Sequence, residues 1–401
     1  MTKSKIFIPK LSQNEANFVE GKKIPSVIMD AYIVASYKNP YEEIKKSVDL
    51  FIIEPNTNYF TGDYCKQKKS FEKLSTTPEN PYKIEDLLTN ESIRKYDFVL
   101  KNIEYQIEKE AGLIILPYLY SDSIDDTKFG LNLTMVSDGL KLIEEKKIKL
   151  PVYAMINIGN GILTDYQKLN YLIDRYSQDF DGKIDGYFVM MNQFNGRKAS
   201  EEELLGLAHL SFYLSNRKNL YLLKIDDFGE LLCCIGVSGY SSSLGGGETF
   251  NAEGLFKKMF GKGRNHNEIT YVAELFNYLN DEELKKIGYK CHCSVCKDNG
   301  MPNGFNETKS HFLERKLERM KEIDAVSDDK KIDFALFKIE EAIRLASKYN
   351  SENALSIKTD FLIRWKNVLE RAKNWSIGDT KQEEIDLDKL IEEAKNQNET
   401  K

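Results

Sequence analysis

The chain has 401 residues, of which 41% are hydrophobic, which is enough for one large domain with an appendage. No apolar run approaches the roughly 20 residues that span a bilayer, and the N-terminal residues contain no secretory apolar segment. Six cysteines without a disulfide-framework spacing favour a reducing, cytoplasmic compartment, and a net charge of -6 argues against a broadly basic nucleic-acid binder while leaving room for a local basic groove.

Short apolar runs alternate with amphipathic stretches, as in β/α units on a parallel sheet. Eight strands are predicted, over residues 26–34, 49–53, 112–119, 152–158, 186–191, 220–225, 235–240 and 269–273. Helices are predicted between them, over residues 40–47, 93–109, 131–146, 164–178, 200–215 and 228–234. Most of the strands are continuous β-branched and aromatic runs, as expected where both faces of a sheet are covered. The pattern favours an α/β fold, a closed (β/α)8 TIM barrel, with a doubly wound open sheet as the alternative.

Polar residues and aromatic residues follow several of the predicted strands, where a barrel of this kind carries its chemistry. Amide side chains in such loops can read the edge of a nucleobase, and neighbouring rings can stack on it. The candidates for a base pocket are Asn157, Asn160, Asn192 and Gln193. Asn is also an ordinary turn residue, so any one of these loops could be a simple turn. Five polar loops at matching positions nevertheless predict a shared cleft.

A glycine-rich stretch over residues 236–247 lacks the Walker lysine and the GxGxxG spacing of phosphate-binding loops, so a mobile lid or a close backbone approach is the better interpretation. It is followed by residues 256–264, in which positive charges are interspersed with aromatic residues and glycines. The cationic residues are Lys257, Lys258, Lys262 and Arg264. This combination predicts contact with a nucleic-acid backbone, and a solvated basic loop is the alternative.

Three cysteines lie close together at Cys291, Cys293 and Cys296. Thiolates bind Zn²⁺ in a tetrahedron, and a closed structural site needs four nitrogen or sulfur ligands. His311, at the start of a helical pattern, is the expected fourth ligand, and His292 is the alternative. The polar surroundings argue against unrelated core cysteines, and the cramped spacing argues against a disulfide. We therefore predict a structural Zn²⁺ site.

Beyond the cysteines the chain is strongly helical and charged, with helices predicted over residues 311–323, 331–349, 357–372 and 382–395. Three parts are therefore expected. They are a (β/α)8 barrel core over residues 1–275, an inserted zinc-binding subdomain over residues 276–325 and a C-terminal helical segment over residues 326–401.

The zinc loop of the tRNA-guanine transglycosylase family resembles residues 290–297 of this chain, which read KCHCSVCK. In that family a Cys-x-Cys-x-x-Cys loop and a downstream His close a structural zinc site on a (β/α)8 barrel. Residues 185–196 are similar to the family's fifth strand, and the resemblance extends over residues 25–325. It implies base exchange in nucleic acid, closest in type to the branch that inserts 7-deazaguanine bases into DNA, because no RNA-binding appendage is recognisable.

The family breaks an N-glycosidic bond with an Asp nucleophile and uses a second Asp as general acid or base, and both positions differ here. The strand that resembles the nucleophile strand, residues 235–241, has no carboxylate, and the second loop carries Glu54 instead of Asp. The Gly-Gly pair of the family's base pocket is replaced by Met190 and Met191. The carboxylates that remain as catalytic candidates are Glu54, Asp122, Asp226 and Asp227. Either of the last two could be only an N-cap.

Two functions are compatible with these features. The first is a base-exchange pentosyltransferase that replaces guanine by a 7-deazaguanine base, with DNA favoured over tRNA as the polymer. The second is a barrel that kept its zinc site but lost catalysis and acts as a nucleic-acid-binding or partner subunit. The missing nucleophile favours the second function, whereas the polar loops and remaining carboxylates favour the first, which we prefer. The expected partners are nucleic acid and the base, with no membrane, in a homodimer or as an accessory subunit. A pair of carboxylates facing each other across the barrel mouth would favour the enzyme over the catalytically inactive subunit.

Overall fold

A computed structural model describes residues 4–12, 15, 18–19, 22–245, 249–256, 269–297, 300–302 and 304–375. The predicted nucleic-acid contacts Lys257, Lys258, Lys262 and Arg264 lie outside the described residues, as does the helix predicted over residues 382–395. No described helix is long and apolar enough to cross a membrane.

Eight parallel strands form a nearly closed (β/α)8 barrel, which confirms the predicted fold class. The strands are β1 (Ile6–Lys10), β2 (Ile24–Asp30), β3 (Val48–Glu54), β4 (Ile114–Ile115), β5 (Val152–Gly159), β6 (Gly186–Asn192), β7 (Asn219–Leu222) and β8 (Gly239–Ser243). Neighbours in the sheet follow chain order, and β1 pairs with β8. At the remaining seam, between β3 and β4, the backbone N–H of Gly112 donates to the carbonyl oxygen of Phe51 at 2.8 Å.

Helices between the strands cover the outside of the barrel, and a π-helical stretch, Ile93–Leu100, leads directly into one of them. They are α1 (Ala31–Ser36), α2 (Lys38–Lys46), α3 (Tyr64–Gln67), α4 (Ile84–Thr89), α5 (Lys101–Glu108), α6 (Thr127–Glu145), α7 (Tyr166–Phe180), α8 (Glu201–Arg217) and α9 (Phe228–Cys233). Helix α8 begins with a capping box, in which the Ser200 hydroxyl accepts from the N–H of Glu203 and the Glu203 carboxylate accepts from the N–H of Ser200.

The prediction that residues 269–273 supply the eighth barrel strand is wrong. That segment is β9 (Ile269–Val272), which forms an antiparallel hairpin with β10 (Asn277–Asn280) outside the barrel sheet. The missing barrel strand is β1, whose short apolar run contains Pro9. Proline lacks the backbone N–H that a strand donates to its neighbour. Its presence in a sequence therefore argues against a strand, and β1 was not predicted.

Four helices follow the hairpin: α10 (Asp281–Lys286), α11 (Gly304–Asp324), α12 (Lys331–Asn353) and α13 (Asp360–Ala372). Helix α11 packs against β1 and β9, and α13 packs against α8 of the barrel. The buried Trp365 of α13 donates from its indole nitrogen to the carbonyl oxygen of Gly196 at 2.8 Å. Helices α11 and α13 thus form part of the barrel's outer layer.

A buried charge network joins α11 to the barrel. Lys316 of α11 contacts Asp227 and lies 3.0 Å from Glu230, and all three side chains are almost fully buried. Arg197 adds a second cation to Asp227 at 2.7 Å, and Arg319 adds one to Glu230 at 3.0 Å. Burial opposes charge on Asp227, but Lys316 and Arg197 outweigh it and keep the pKa of Asp227 below its usual value.

Replacing Lys316 with Met should destabilise the protein by about 3–5 kcal/mol, because the buried carboxylates of Asp227 and Glu230 lose a shared cation. Chemical denaturation, monitored by circular dichroism, measures this change in the free energy of unfolding. Lys321→Met, at an exposed position of the same helix, is the matched control and should leave the unfolding free energy within about 0.5 kcal/mol of wild type. A Lys316 variant as stable as the control would show that the network does not hold α11 on the barrel.

Candidate active site and metal centre

The barrel interior changes from apolar to polar towards the C-terminal ends of the strands, the end we call the barrel mouth. One buried apolar layer contains Ile8, Ile28, Ile52, Met155 and Met190. Side chains alternate along a strand, so residues two positions further on also face the interior. Those residues are Lys10, Asp30, Glu54, Asn157 and Asn192. The polar layer therefore lies directly above a dry core.

Two carboxyl groups are neighbours in this layer. Asp30 and Glu54 are paired residues of the neighbouring strands β2 and β3, so their side chains lie next to each other on the interior face. Lys10 of β1 lies 3.0 Å from a carboxylate oxygen of Asp30 and 3.4 Å from one of Glu54. Glu54 is only 1% exposed and Asp30 is 6% exposed. A charged lysine therefore bridges a buried carboxyl pair.

The surroundings of the two carboxyl groups shift their pKa values in opposite directions. Burial opposes charge on Asp30, but Lys10 and Lys224 outweigh it and hold its pKa well below the usual range. Asp30 also accepts hydrogen bonds from the Tyr32 hydroxyl at 2.8 Å and the Asn56 amide at 3.0 Å. Burial raises the pKa of Glu54, against the opposing charges of Lys224 and Lys10. Pairs separated in this way can act as an ionised group and a proton donor.

Asn157 is the most conspicuous polar side chain of the layer. It is 1% exposed, and neither its amide nitrogen nor its amide oxygen has a hydrogen-bond partner. Leaving a buried polar group unpaired costs about 1–3 kcal/mol, so a ligand with a donor and an acceptor would relieve this cost. Asn192 nearby donates to the Tyr120 hydroxyl at 3.1 Å, and the Tyr120 ring packs against Phe250 with centroids 5.7 Å apart.

The other predicted pocket residues lie less centrally. Asn160 donates to the Glu203 carboxylate at 3.1 Å, beside the start of α8. Gln193 is exposed, and its backbone N–H bonds to the carbonyl oxygen of Phe250 at 2.7 Å. Asp122 is exposed and accepts from the Tyr120 hydroxyl at 2.7 Å. Of the four amides, Asn157 and Asn192 therefore belong to the polar layer.

Asp226 and Asp227 lie apart from Glu54 in their interactions. Asp226 accepts from the backbone N–H groups of Arg197 and Phe228, both at 3.1 Å, and burial together with the neighbouring Asp227 raises its pKa to about 6. Asp227 belongs to the charge network on α11. Among the described contacts, none joins either residue to Glu54. Asp226 therefore accepts from the first N–H of α9 without being its N-cap residue, which is Asp227, and the carboxylate that accompanies Glu54 is Asp30.

Asp30 was not recognised in sequence because the strand predicted over residues 26–34 placed it mid-strand. The structure ends β2 at Asp30 and begins α1 at Ala31. The missed signal was a carboxylate directly after the apolar run 27–29, at the point where the chain could leave a parallel strand.

Strained backbone accompanies the barrel mouth. Asn56, Gln193 and Lys224 have φ values of 55°, 54° and 56°, and they follow β3, β6 and β7. Non-glycine residues in this left-handed region cost free energy and concentrate at functional sites. Three of the seven described non-glycine residues with positive φ therefore lie around the opening that contains the carboxyl pair.

The candidate metal centre combines the loop between α10 and α11 with the first part of α11. The sulfur atoms of Cys291, Cys293 and Cys296 lie 3.6, 3.4 and 3.3 Å from Nδ1 of His311, and all four residues are buried. The four ligand atoms lie within 4.8 Å of one another, so this Cys3His cluster could bind a metal ion. His292 is exposed and outside the cluster, which resolves the alternative in favour of His311.

The surroundings of the cluster orient its ligands for a metal. Nε2 of His311 lies 2.8 Å from the carbonyl oxygen of Tyr271, which can only accept a hydrogen bond, so Nε2 carries the proton and Nδ1 is free for a metal. The backbone N–H of Cys293 donates to the Cys291 sulfur at 3.4 Å. Since Tyr271 lies on β9, the cluster also connects the hairpin to α11.

The fold and these sites define the chain as a (β/α)8 barrel protein with a polar mouth and a Cys3His cluster. No protein-family model matches the chain, and no curated protein matches it either. The function must therefore be inferred from the fold, the geometry and the motif.

Removing His311 should release the bound metal and lower the thermal unfolding midpoint by at least about 5 °C, because binding to a closed site contributes directly to folding. His311→Ala is compared with His292→Ala, which removes the exposed neighbouring histidine. Elemental analysis and thermal unfolding are the measurements. Equal metal content in the two variants would contradict the assignment of the fourth ligand.

Proposed function

We propose that this chain is a transglycosylase-like enzyme that exchanges guanine for a 7-deazaguanine base in nucleic acid, with DNA favoured over tRNA. The observation that carries the proposal is the buried pair Asp30 and Glu54 at the barrel mouth. Exchange at a glycosidic carbon needs one group that attacks or stabilises C1′ and another that moves a proton to the departing base. The resemblance of residues 290–297 to the transglycosylase zinc loop supports this reaction class.

The two carboxyl groups would divide these tasks. Asp30 is held ionised by Lys10 and Lys224, which suits a group that attacks or stabilises the positive charge developing on the sugar. Glu54 has a raised pKa and accepts from the Tyr118 hydroxyl at 2.8 Å, which suits a proton donor to the leaving base. Asp30 thus supplies the second carboxylate that is missing from residues 235–241.

The base would bind between Asn157 and the aromatic rings of Tyr120 and Phe250. The free amide of Asn157 offers a donor and an acceptor, which could pair with the O6 acceptor and the N1–H donor on the Watson–Crick edge of a guanine-type base. Rings near the amide can stack on a base that leaves its helix. Contact with the polymer would involve Lys257, Lys258, Lys262 and Arg264.

Base exchange is tested by measuring incorporation of labelled guanine and labelled 7-deazaguanine into DNA and tRNA, in parallel. Asp30→Asn and Glu54→Gln should each lower the rate at least about 100-fold, because each removes one of the two catalytic groups. Asp49→Asn is the control, since Asp49 is an exposed carboxylate at the opposite end of β3 from Glu54.

The folded state of each variant is checked by circular dichroism and metal content. Full activity of Asp30→Asn and Glu54→Gln would contradict the assigned roles. Wild-type protein that binds a polymer but incorporates neither base would favour the catalytically inactive, nucleic-acid-binding subunit instead.

The metal in the Cys3His cluster is proposed to be Zn²⁺ with a structural role. Three thiolates and one imidazole form a closed tetrahedral set that leaves no position for a reactive water. Freshly purified protein should contain one equivalent of zinc, and Cys293→Ser should lose it together with thermal stability. Less than half an equivalent of zinc in unchelated protein, or another metal in stoichiometric amount, would overturn this proposal.

A further inference from the structure

The barrel mouth contains more positive than negative charge. The pKa values of Asp30 and Glu54 respond to the charges of both Lys10 and Lys224, and that of Lys68 responds to all four groups. Three lysines therefore surround two carboxyl groups, one of which is biased towards its neutral form. Charges in a partly dry site are stable only when they are compensated, so this site is short of negative charge.

Lys68 reaches the mouth from the loop after β3. Its ammonium group lies 3.7 Å from the centroid of the Tyr32 ring, and the Tyr32 hydroxyl donates to Asp30 at 2.8 Å. The rings of Tyr59 and Phe71 lie 5.8 and 5.6 Å from the same ammonium group. Burial lowers the pKa of Lys68, and among the described residues it makes no ion pair with a carboxylate. Aromatic faces stabilise the cation but do not neutralise it.

Lys224 lies shortly after β7, on the opposite side of the barrel mouth from Lys68. Its ammonium group lies 5.3 Å from the centroid of Phe250, which packs against Tyr120 in the proposed base pocket. No described carboxylate lies at ion-pair distance from Lys224 either. Its φ of 56° shows that the backbone turns sharply at this residue. Lys68 and Lys224 therefore lie in the segments that follow β3 and β7, two strands that are half a turn of the barrel apart.

We propose that Lys68 and Lys224 form a phosphate-binding subsite beside the carboxyl pair, and that they hold the phosphate of the nucleotide whose base is exchanged. Lysine binds phosphate as a point charge, and a phosphate bound here would supply the missing negative charge. The inference rests on the proposed function for the identity of the ligand as a guanine nucleotide. The shortage of negative charge itself depends only on the residues of the mouth.

The subsite is tested with the full-length, metal-loaded protein and three probes, guanosine, guanosine 5′-monophosphate and a short guanine-containing oligodeoxynucleotide. Calorimetry should show that the monophosphate binds at least about tenfold more tightly than guanosine. Lys68→Met and Lys224→Met should each remove most of this difference, which is measured in each variant as the ratio of its affinities for the monophosphate and for guanosine. Lys224→Arg, which keeps the charge, should retain it. Lys69→Met is the matched control at the exposed position next to Lys68.

The oligonucleotide tests whether the subsite binds a phosphodiester of the polymer or only a terminal phosphate. If it binds a phosphodiester, both lysine variants should weaken oligonucleotide binding. Equal affinity for guanosine and its monophosphate, or unchanged phosphate binding in both Met variants, would overturn the subsite, as would wild-type protein that binds no phosphate-bearing probe. Lysine-dependent phosphate binding without base incorporation would instead retain the subsite and reject the exchange reaction.

Discussion

The nearly closed ring of parallel strands imposes the constraint on which the site depends. Its interior is one narrow space, filled below the mouth by residues such as Ile8, Ile28 and Ile52. A charged side chain at the next interior position cannot turn outwards without breaking the strand's alternation. It must therefore find its partners across the barrel. The contacts among Lys10, Asp30 and Glu54 follow from this confinement.

Confinement also explains why two carboxyl groups of similar chemistry differ in character. Asp30 is surrounded by donors, the Tyr32 hydroxyl, the Asn56 amide and Lys10, whereas Glu54 is the more deeply buried of the two. Donors stabilise the ionised form, and burial stabilises the neutral form. The pair is thus prepared for acid–base chemistry before any ligand binds, and the nearby lysines leave the mouth with surplus positive charge.

A second group of buried charges has a different role. Asp227 and Glu230 lie outside the barrel interior and are neutralised by Lys316, Arg197 and Arg319. Each of the three cations there forms an ion pair with Asp227 or Glu230, so the network needs no ligand. Together with the Cys3His cluster it fixes the hairpin and α11 against the barrel. The difference between a compensated and an uncompensated cluster separates structural charges from candidate functional ones.

The alternation of apolar runs with amphipathic stretches determined the fold class, because strands covered on both faces must be apolar along their whole length. The spacing of Cys291, Cys293 and Cys296 was enough to predict that their sulfur atoms cluster, because residues so near to one another in sequence remain near in any fold. Glu54 was also identifiable, since it follows an apolar run and precedes a polar loop.

Tertiary structure alone decided which carboxylate accompanies Glu54 and which strand completes the barrel. Asp30 follows the apolar residues 27–29 and Asp227 lies two residues after Ile225, and only the tertiary structure places one of them beside Glu54 and the other in contact with α11. The segments at β1 and β9 are likewise both short apolar runs, and closure of the ring selects β1. The local sequence favours strand formation in both segments. Which strands then pair depends on packing between residues far apart in the chain, and a local sequence pattern contains no information about that packing.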